Sequence, residues 1–180
     1  SFSKTDTDAT FMHMKEDHMR NGQLKAGYNV QIGVDSEYIV NVGLFSERSD
    51  QLTLIPFLED TEEKTGFRYK EIVADAGYES EENYVYLNEH NQDSYIKPSN
   101  YESSKKRKKK LYSTESFIYN AETDIFTCPE NQELRPLYIK SSKTKSGYIS
   151  EKTVYATTAC ESCPNKHLCT KSDKGRNLQR

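Results

Sequence analysis

Apolar and polar residues alternate from Gly27 to Val34, and a second run rich in Ile and Val extends from Tyr38 to Phe45. A period of two marks a half-buried strand, and Asp35-Ser36-Glu37 between the runs reads as a hairpin turn. Further on, Leu54, Ile55 and Leu58 share one face of a helix, with Asp50 placed to cap it and Gly66 to end it. Pro56 is awkward inside that helix and marks a late start or a kink. Glu71-Ile72-Val73-Ala74 is a short strand-like run that ends in Asp75. After the turn Ala76-Gly77-Tyr78, Ser80 caps a helix through about Glu89, with Glu81 and Glu82 favourably placed in its first turn. Ser94 to Ile96 is a short strand stopped by Pro98, and Phe11 to Arg20 reads as a short helix ended by Gly22. Residues 27–97 therefore spell strand, strand, helix, strand, helix, strand, an α/β layer with a mixed sheet.

The pattern then changes. Residues 99–116 are polar and contain the unbroken basic run Lys105-Lys106-Arg107-Lys108-Lys109-Lys110, as a loop or linker would. Strand-like pieces follow at Ser116–Tyr119, Leu137–Lys140 and Lys152–Ala156, together with all four cysteines. Charge divides along the same line: residues 1–97 hold 9 Lys/Arg against 19 Asp/Glu, and residues 98–180 hold 16 against 9. An acidic half joined to a basic half suggests two modules with different partners. Hydrophobic residues make up only 34% of the 180, so the 13 Tyr and 7 Phe must carry much of the buried area. No apolar run reaches the length of a membrane span and no signal peptide opens the sequence, which predicts a soluble chain, cytoplasmic in a bacterium. The opening at Ser1 without Met and the ending at Arg180 read as those of a piece of a longer chain.

The cysteines carry the first chemical expectation. Cys160 and Cys163 form a C-x2-C knuckle, and Cys128 and Cys169 bring the count to four. Four thiolates satisfy a closed, tetrahedral structural Zn²⁺ site, with His167 as a substitute ligand. A small polar module also needs such a staple, because apolar burial alone does not hold it. Unligated cysteines, an iron–sulfur cluster or disulfides are the alternatives; a cytosolic setting disfavours the last.

The second expectation is the carboxylate. Asp75 stands at the carboxyl end of a buried strand, where α/β proteins tend to place ligand chemistry. For a lone Asp in that place, the bland reading is a cap on the next turn. The order Gly27-Tyr28-Asn29-Val30-Gln31-Ile32, hairpin, helix, then Ala74-Asp75-Ala76-Gly77-Tyr78 changes the weighing. In this order the chain resembles the DDE-type transposases of bacterial insertion sequences, and most of all the subgroup with a cysteine-rich insert. Ser3 to Ala9 matches a further family segment, with Thr7 where the family usually has proline, and Cys160 to Cys169 matches the insert.

The resemblance implies an incomplete ribonuclease H-like fold of the α/β class: residues 1–98 as part of the catalytic core, 99–116 as a basic linker, and 117–180 as a cysteine-rich, strand-containing insert that binds zinc. It implies metal-dependent DNA cleavage and strand transfer, in which three carboxylates hold Mg²⁺ or Mn²⁺ and Asp75 is the second of the three. The first Asp lies in the family on a strand upstream of the Ser3–Ala9 segment, and the final Glu on a helix downstream of the cysteines. Both are missing here. Asp6, Asp8 and Asp35 do not replace them, because Asp35 belongs to the hairpin turn and the other two follow the expected first strand. The expectation is thus an enzyme by family whose present 180 residues are inactive alone. The alternative is a non-catalytic, zinc-stabilised nucleic-acid-binding protein derived from a transposase.

DNA is the implied partner, both as element ends and as target. Lys105 to Lys110 would neutralise phosphates without reading sequence, and Tyr101 and Tyr112 flank the run as stacking candidates. The family also implies a homodimer and a place with the bacterial nucleoid.

Overall fold

In the computed structural model, residues 3–13, 22–99, 101 and 111–180 are described. The chain forms two compact units, Ser1–Glu102 and Ser103–Arg180.

The first unit contains β1 (Thr10–His13), β2 (Leu24–Gly27), β3 (Asn29–Asp35), β4 (Tyr38–Phe45), α1 (Leu54–Thr65), β5 (Glu71–Ala74), α2 (Glu81–Glu89) and β6 (Asp93–Ile96), with 3₁₀ turns at Asp50–Leu52 and Ala76–Tyr78. The mixed α/β class is as the hydrophobic pattern indicates. One element differs. Where a helix was expected from Phe11, β1 runs antiparallel to β2, with Thr10 opposite Gly27 and His13 opposite Leu24. Pairing with a partner strand overrides a weak helical periodicity over so few residues. The remainder of that expected helix, residues 14–20, lies outside the described residues.

The β3–β4 hairpin turns through Ser36 and Glu37, with φ of 47° and 73°. Two left-handed central residues are what a tight two-residue hairpin turn requires. One face of the hairpin receives α1. A Cβ on Gly33 or Gly43 would come within 3.1 or 2.9 Å of the Phe57 ring, so these two glycines set the depth at which the helix docks. Buried Asn41 pins the contact by donating to Asp60 Oδ2 at 2.7 Å and Thr61 Oγ1 at 2.8 Å. Pro56 falls in the first turn of α1, where a missing N–H has no intrahelical acceptor to lose, so the late start is realised and no kink is needed. Ser80 caps α2 as expected, its Oγ accepting from Asn83 N at 3.1 Å.

Through α2, β5 crosses over to β6, which lies parallel to it with Glu71 opposite Asp93. Leu54, Ile72, Leu87 and Ile96 make the core, padded by Tyr69, Tyr78, Tyr84 and Tyr86. The tyrosine-rich composition is used here, with ring area replacing aliphatic area.

The sheet of this unit is in two pieces. Among the described residues β3 pairs only with β4, and β5 only with β6. Gln31 to Val34 of β3 and Glu71 to Ala74 of β5 nevertheless line one cavity of about 320 Å³. Val30, Ile32, Val42, Leu44, Val73 and Tyr95 are all exposed, Val73 at 81%. The arrangement is compatible with the incomplete ribonuclease H-like sheet anticipated from the sequence: an apolar face and two strand edges are left uncovered by the described residues.

The second unit is antiparallel. It contains β7 (Ile118–Asn120), β8 (Ile125–Thr127), β9 (Glu133–Lys143), β10 (Ile149–Ala156), the short helix α3 (Lys166–Cys169) and β11 (Leu178–Gln179). The strand order is β11-β10-β9-β8-β7. Phe117, Leu134, Tyr155 and Leu178 form its core, with Tyr119, Phe126, Cys128 and Cys169 packed against them. Phe126 sits 4.8 Å from Tyr119 and 4.9 Å from Tyr155, centroid to centroid.

Asp124 closes this aromatic group. It accepts from Tyr155 Oη at 2.5 Å and Tyr119 Oη at 2.8 Å, and the Tyr155 bond in particular holds its carboxyl below the ordinary aspartate value of 3.8. A depressed folded-state value means that this contribution is present above the unfolded value and is lost as pH falls through the folded one. Acid melts should therefore show wild type losing stability below about pH 3.8 more steeply than Asp124→Asn. Parallel acid curves would remove Asp124 as the cause.

Candidate metal-binding carboxylate and thiol cluster

Asp75 follows β5 directly and begins the Ala76–Tyr78 turn. Its Oδ1 accepts from Gly77 N at 2.7 Å, so the bland role of a cap is present. The same residue is exposed and lines the cavity shared by β3 and β5. One carboxylate thus serves two directions: the backbone N–H fixes its rotamer, and the carboxyl stands at an open cleft.

A second carboxylate lies beside it. A Cβ built on Gly77 would stand 2.7 Å from Asp50 Oδ2 and 2.9 Å from Asp75 Oδ1. The two acids flank one α-carbon, and only the absence of a side chain there leaves room for both. Asp50 was expected to cap a helix, and its side chain does not do so. The 3₁₀ turn begins after Ser49 and α1 after Thr53, neither with a side-chain cap bond. Instead Asp50 Oδ1 accepts from Asn29 Nδ2 at 2.7 Å and Gln31 Nε2 at 3.2 Å. Tyr78 Oη donates to Gln31 Oε1, closing a network across β3, the turn before α1 and the turn after β5. Partial burial, and after it the Asp50 and Asp75 charges, push the Tyr78 hydroxyl up to about 12, so it stays protonated and donating at neutral pH. Asn29 and Gln31 are polar residues at alternate positions of an otherwise apolar strand; that was the legible signal, and alternation by itself marks no more than a strand.

Gly77→Ala should separate the two acids. The methyl group cannot coexist with both oxygens, so either the Gly77–Asp75 bond or the Asp50 network must give. The expected cost is about 1–3 kcal/mol of stability, read as a lowered denaturant midpoint. No change in midpoint would mean that the turn relaxes freely.

Of the acids set aside in the sequence, Asp6 and Asp35 hold scaffold positions. Asp6 accepts from Tyr28 Oη at 2.8 Å and from the Asp8 and Ala9 amides, folding the Ser3–Ala9 segment. The Tyr28 bond lowers its carboxyl value. Asp35 accepts from Ser36 Oγ at 3.1 Å within the hairpin turn.

In the second unit, Cys128, Cys160, Cys163 and Cys169 all line one small cavity, with Tyr112, Glu130 and Arg176. The C-x2-C pair and the two distant cysteines are thus brought to one place. All four are free, half-buried thiols. Cys128 Sγ accepts from Gln132 N at 3.3 Å, and burial pushes the Cys169 thiol up while Arg176 pulls it down. Among the described residues, however, no group of three or more His, Cys, Asp or Glu side chains is gathered so as to hold a metal. What the described residues show is a cavity shared by the four thiols. Cys128 and Cys169 also pack, half-buried, against the core of Phe117 and Leu134. His167, the substitute ligand, does not line the cavity. The basic run Lys105 to Lys110 falls outside the described residues. The described helices include none long and apolar enough to cross a membrane.

Asp75, exposed at the carboxyl end of a parallel strand and lining a cavity, stands where open α/β sheets tend to bind ligands. The family follows from comparison: the profile of the transposase DDE domain matches residues 2–161, and the chain belongs to that family. The match spans both units and stops before Cys163 and Cys169. No curated protein and no solved structure matches. A function in transposition, with DNA as partner and divalent metal ions as the family's general cofactor, goes with that membership.

Proposed function

We propose that this chain is the central part of a DDE transposase catalytic domain, that Asp75 is one of its metal-binding carboxylates, and that the 180 residues are inactive alone. The observation that carries the reading is the placement of Asp75: it leaves β5 at a cavity walled by two strand edges without further described partners. A strand fits between such edges, and one carrying a carboxylate would bring it beside Asp75. The uncovered apolar face of Val30, Ile32, Val42, Leu44, Val73 and Tyr95 calls for a covering helix, the element that bears the last Glu in the family.

The donor set at Asp75 suits a hard cation, since it offers carboxylate oxygen at an open cleft. Asp75 would hold Mg²⁺ or Mn²⁺ there, and the bound ion would supply activation of an attacking water or 3′-hydroxyl and stabilisation of the leaving oxygen. The chain's own part is positional. Gly77 N–H orients the Asp75 carboxylate, while Asn29, Gln31 and Tyr78 hold the Asp50 charge beside it. Asp75 acts as a ligand, not as a nucleophile or base.

The thiol cluster supports a structural Zn²⁺ in the second unit. Four soft donors line one cavity, the Gln132 N–H already bonds one sulfur, and Arg176 supplies positive charge next to the thiols. Lys105 to Lys110 adds non-specific phosphate binding. The alternative is a non-catalytic, zinc-stabilised nucleic-acid-binding derivative of a transposase, resting on the thiol cluster and the basic run.

The test is Mg²⁺-dependent cleavage of DNA carrying the element's ends. The 180 residues alone should give none, and a chain extended by an aspartate-bearing strand and a glutamate-bearing helix should cleave. Robust cleavage by the 180 residues would overturn the incompleteness. An extended chain that binds DNA and never cleaves would favour the derivative.

A further inference from the structure

Thr53, just before α1, and Asn83, in the first turn of α2, are polar and yet fully buried. The helix does not explain the second of them. An asparagine this close to a helix start competes with the backbone for hydrogen bonds and serves best at the cap, a place that Ser80 already fills. Asn83 instead reaches across to two other segments. Its Nδ2 donates to the Tyr78 carbonyl at 2.7 Å and to the Gln51 carbonyl at 3.1 Å. Both partners are oxygens, which fixes the orientation of the amide, and among the described residues its Oδ1 has no partner. A buried acceptor left unpaired is costly, so the two bonds that Asn83 does make must outweigh that cost.

What those two bonds join is the site. Gln51 follows Asp50, and Tyr78 ends the turn that Asp75 begins. One amide therefore spans the Asp50–Leu52 and Ala76–Tyr78 turns, the segments that bring two carboxylates to Gly77. Two further bonds complete the brace. On the outside Gln51 Nε2 donates to the Glu79 carbonyl at 2.7 Å, and on the inside Thr53 Oγ1 donates to the Asp50 carbonyl at 2.9 Å. These bonds hold the backbones of the two turns, whereas Asn29, Gln31 and the Gly77 amide hold the carboxylate oxygens themselves. Like charges on separate turns repel, so a fixed spacing between them needs a neutral brace of this kind.

We infer that Asn83 is a positioning residue: with Gln51 outside it, it sets the spacing of Asp50 and Asp75 and so the affinity of the site for a divalent cation. This rests on the reading that Asp75 is a metal ligand. It deepens that reading by assigning the preorganisation of the site to a buried neutral amide on α2 that stands behind the carboxylates.

The experiment titrates the 180-residue chain with Mn²⁺ and follows the free ion by its electron paramagnetic resonance signal. The component of binding lost in Asp75→Asn is the site's own. Asn83→Leu keeps the bulk of the side chain and removes both donors. Gln51→Ala removes only the exposed outer bond and leaves the core alone. Asn41→Leu, the control, removes a buried amide that pins α1 to the hairpin through Asp60 and Thr61. The expected result is site affinity weaker by about 10-fold or more in Asn83→Leu, a smaller fall in Gln51→Ala, and wild-type affinity in Asn41→Leu despite a lowered melting midpoint. Wild-type affinity in Asn83→Leu, or in Gln51→Ala where Asn83→Leu does not fold, would overturn the positioning role and leave Asp75 a ligand. An equal loss in Asn41→Leu would overturn it too, as the mark of a general loosening of the unit. Mn²⁺ binding that Asp75→Asn leaves intact would overturn the metal reading itself.

Discussion

Asp75→Asn should lower metal-dependent DNA cleavage by the completed transposase at least about 1,000-fold, equivalent to ~4 kcal/mol of transition-state stabilisation. The substitution is nearly isosteric. An Asn side-chain oxygen can still accept from Gly77 N–H, so the Ala76–Tyr78 turn keeps its cap and the protein its fold. What disappears is the negative charge and one hard oxygen ligand at the cleft. DNA affinity and melting midpoint should stay near wild type, which separates loss of a ligand from loss of a cap. Cleavage within tenfold of wild type would remove Asp75 from the metal centre and leave it a cap. Asp50→Asn forms an informative partner variant. Its carboxylate is already engaged by Asn29 and Gln31, so its loss should disturb the network and cost stability as well as rate.

Removing zinc should have the second large effect. The core of the second unit is four residues, Phe117, Leu134, Tyr155 and Leu178, and most of β9 is exposed. Such a module has little apolar burial to set against chain entropy. A four-thiolate Zn²⁺ adds folding free energy directly, because the unfolded chain holds no preformed site. Chelation, or Cys160→Ser, should lower the melting midpoint of this unit by at least about 15 °C, given ~4–8 °C per kcal/mol for a domain of this size. The protein as purified should carry one zinc per chain, and cobalt in its place should give thiolate charge-transfer absorbance. Full stability after chelation, with no bound metal, would return the four cysteines to ordinary apolar packing.

How far the sequence reached depends on how local each signal was. The β3–β4 hairpin, the capped helix after Ser80 and the Glu71–Ala74 strand were all legible, because alternation, a cap residue and a short apolar run are properties of neighbours in the chain. The strand at Thr10–His13 was not, since its identity comes from pairing with Leu24–Gly27 across a gap. Ile125–Thr127 and Leu178–Gln179 were too short to announce themselves and exist because other strands accept them. At the site, Asp75 stood out by its position after a strand. Asp50 did not, because the same residue type before a helix has a sufficient local explanation as a cap. Only the three-dimensional approach of two carboxylates across Gly77 reveals its other role. The cysteines show the opposite balance: all four, singled out by their spacing, line one cavity, while the packing of Cys128 and Cys169 against Phe117 and Leu134 has no local signal in the chain.

The most direct test of the central claim is a Mn²⁺ titration of the 180-residue chain followed by amide NMR. Mn²⁺ is a hard, oxygen-seeking stand-in for Mg²⁺, and its unpaired electrons broaden nearby amides. Two carboxylates bind it weakly, so broadening in the millimolar range is sufficient. The account predicts broadening centred on Ala74 to Tyr78 and on Asp50, abolished by Asp75→Asn. Broadening spread over the acidic surface at large, or unchanged in Asp75→Asn, would contradict it.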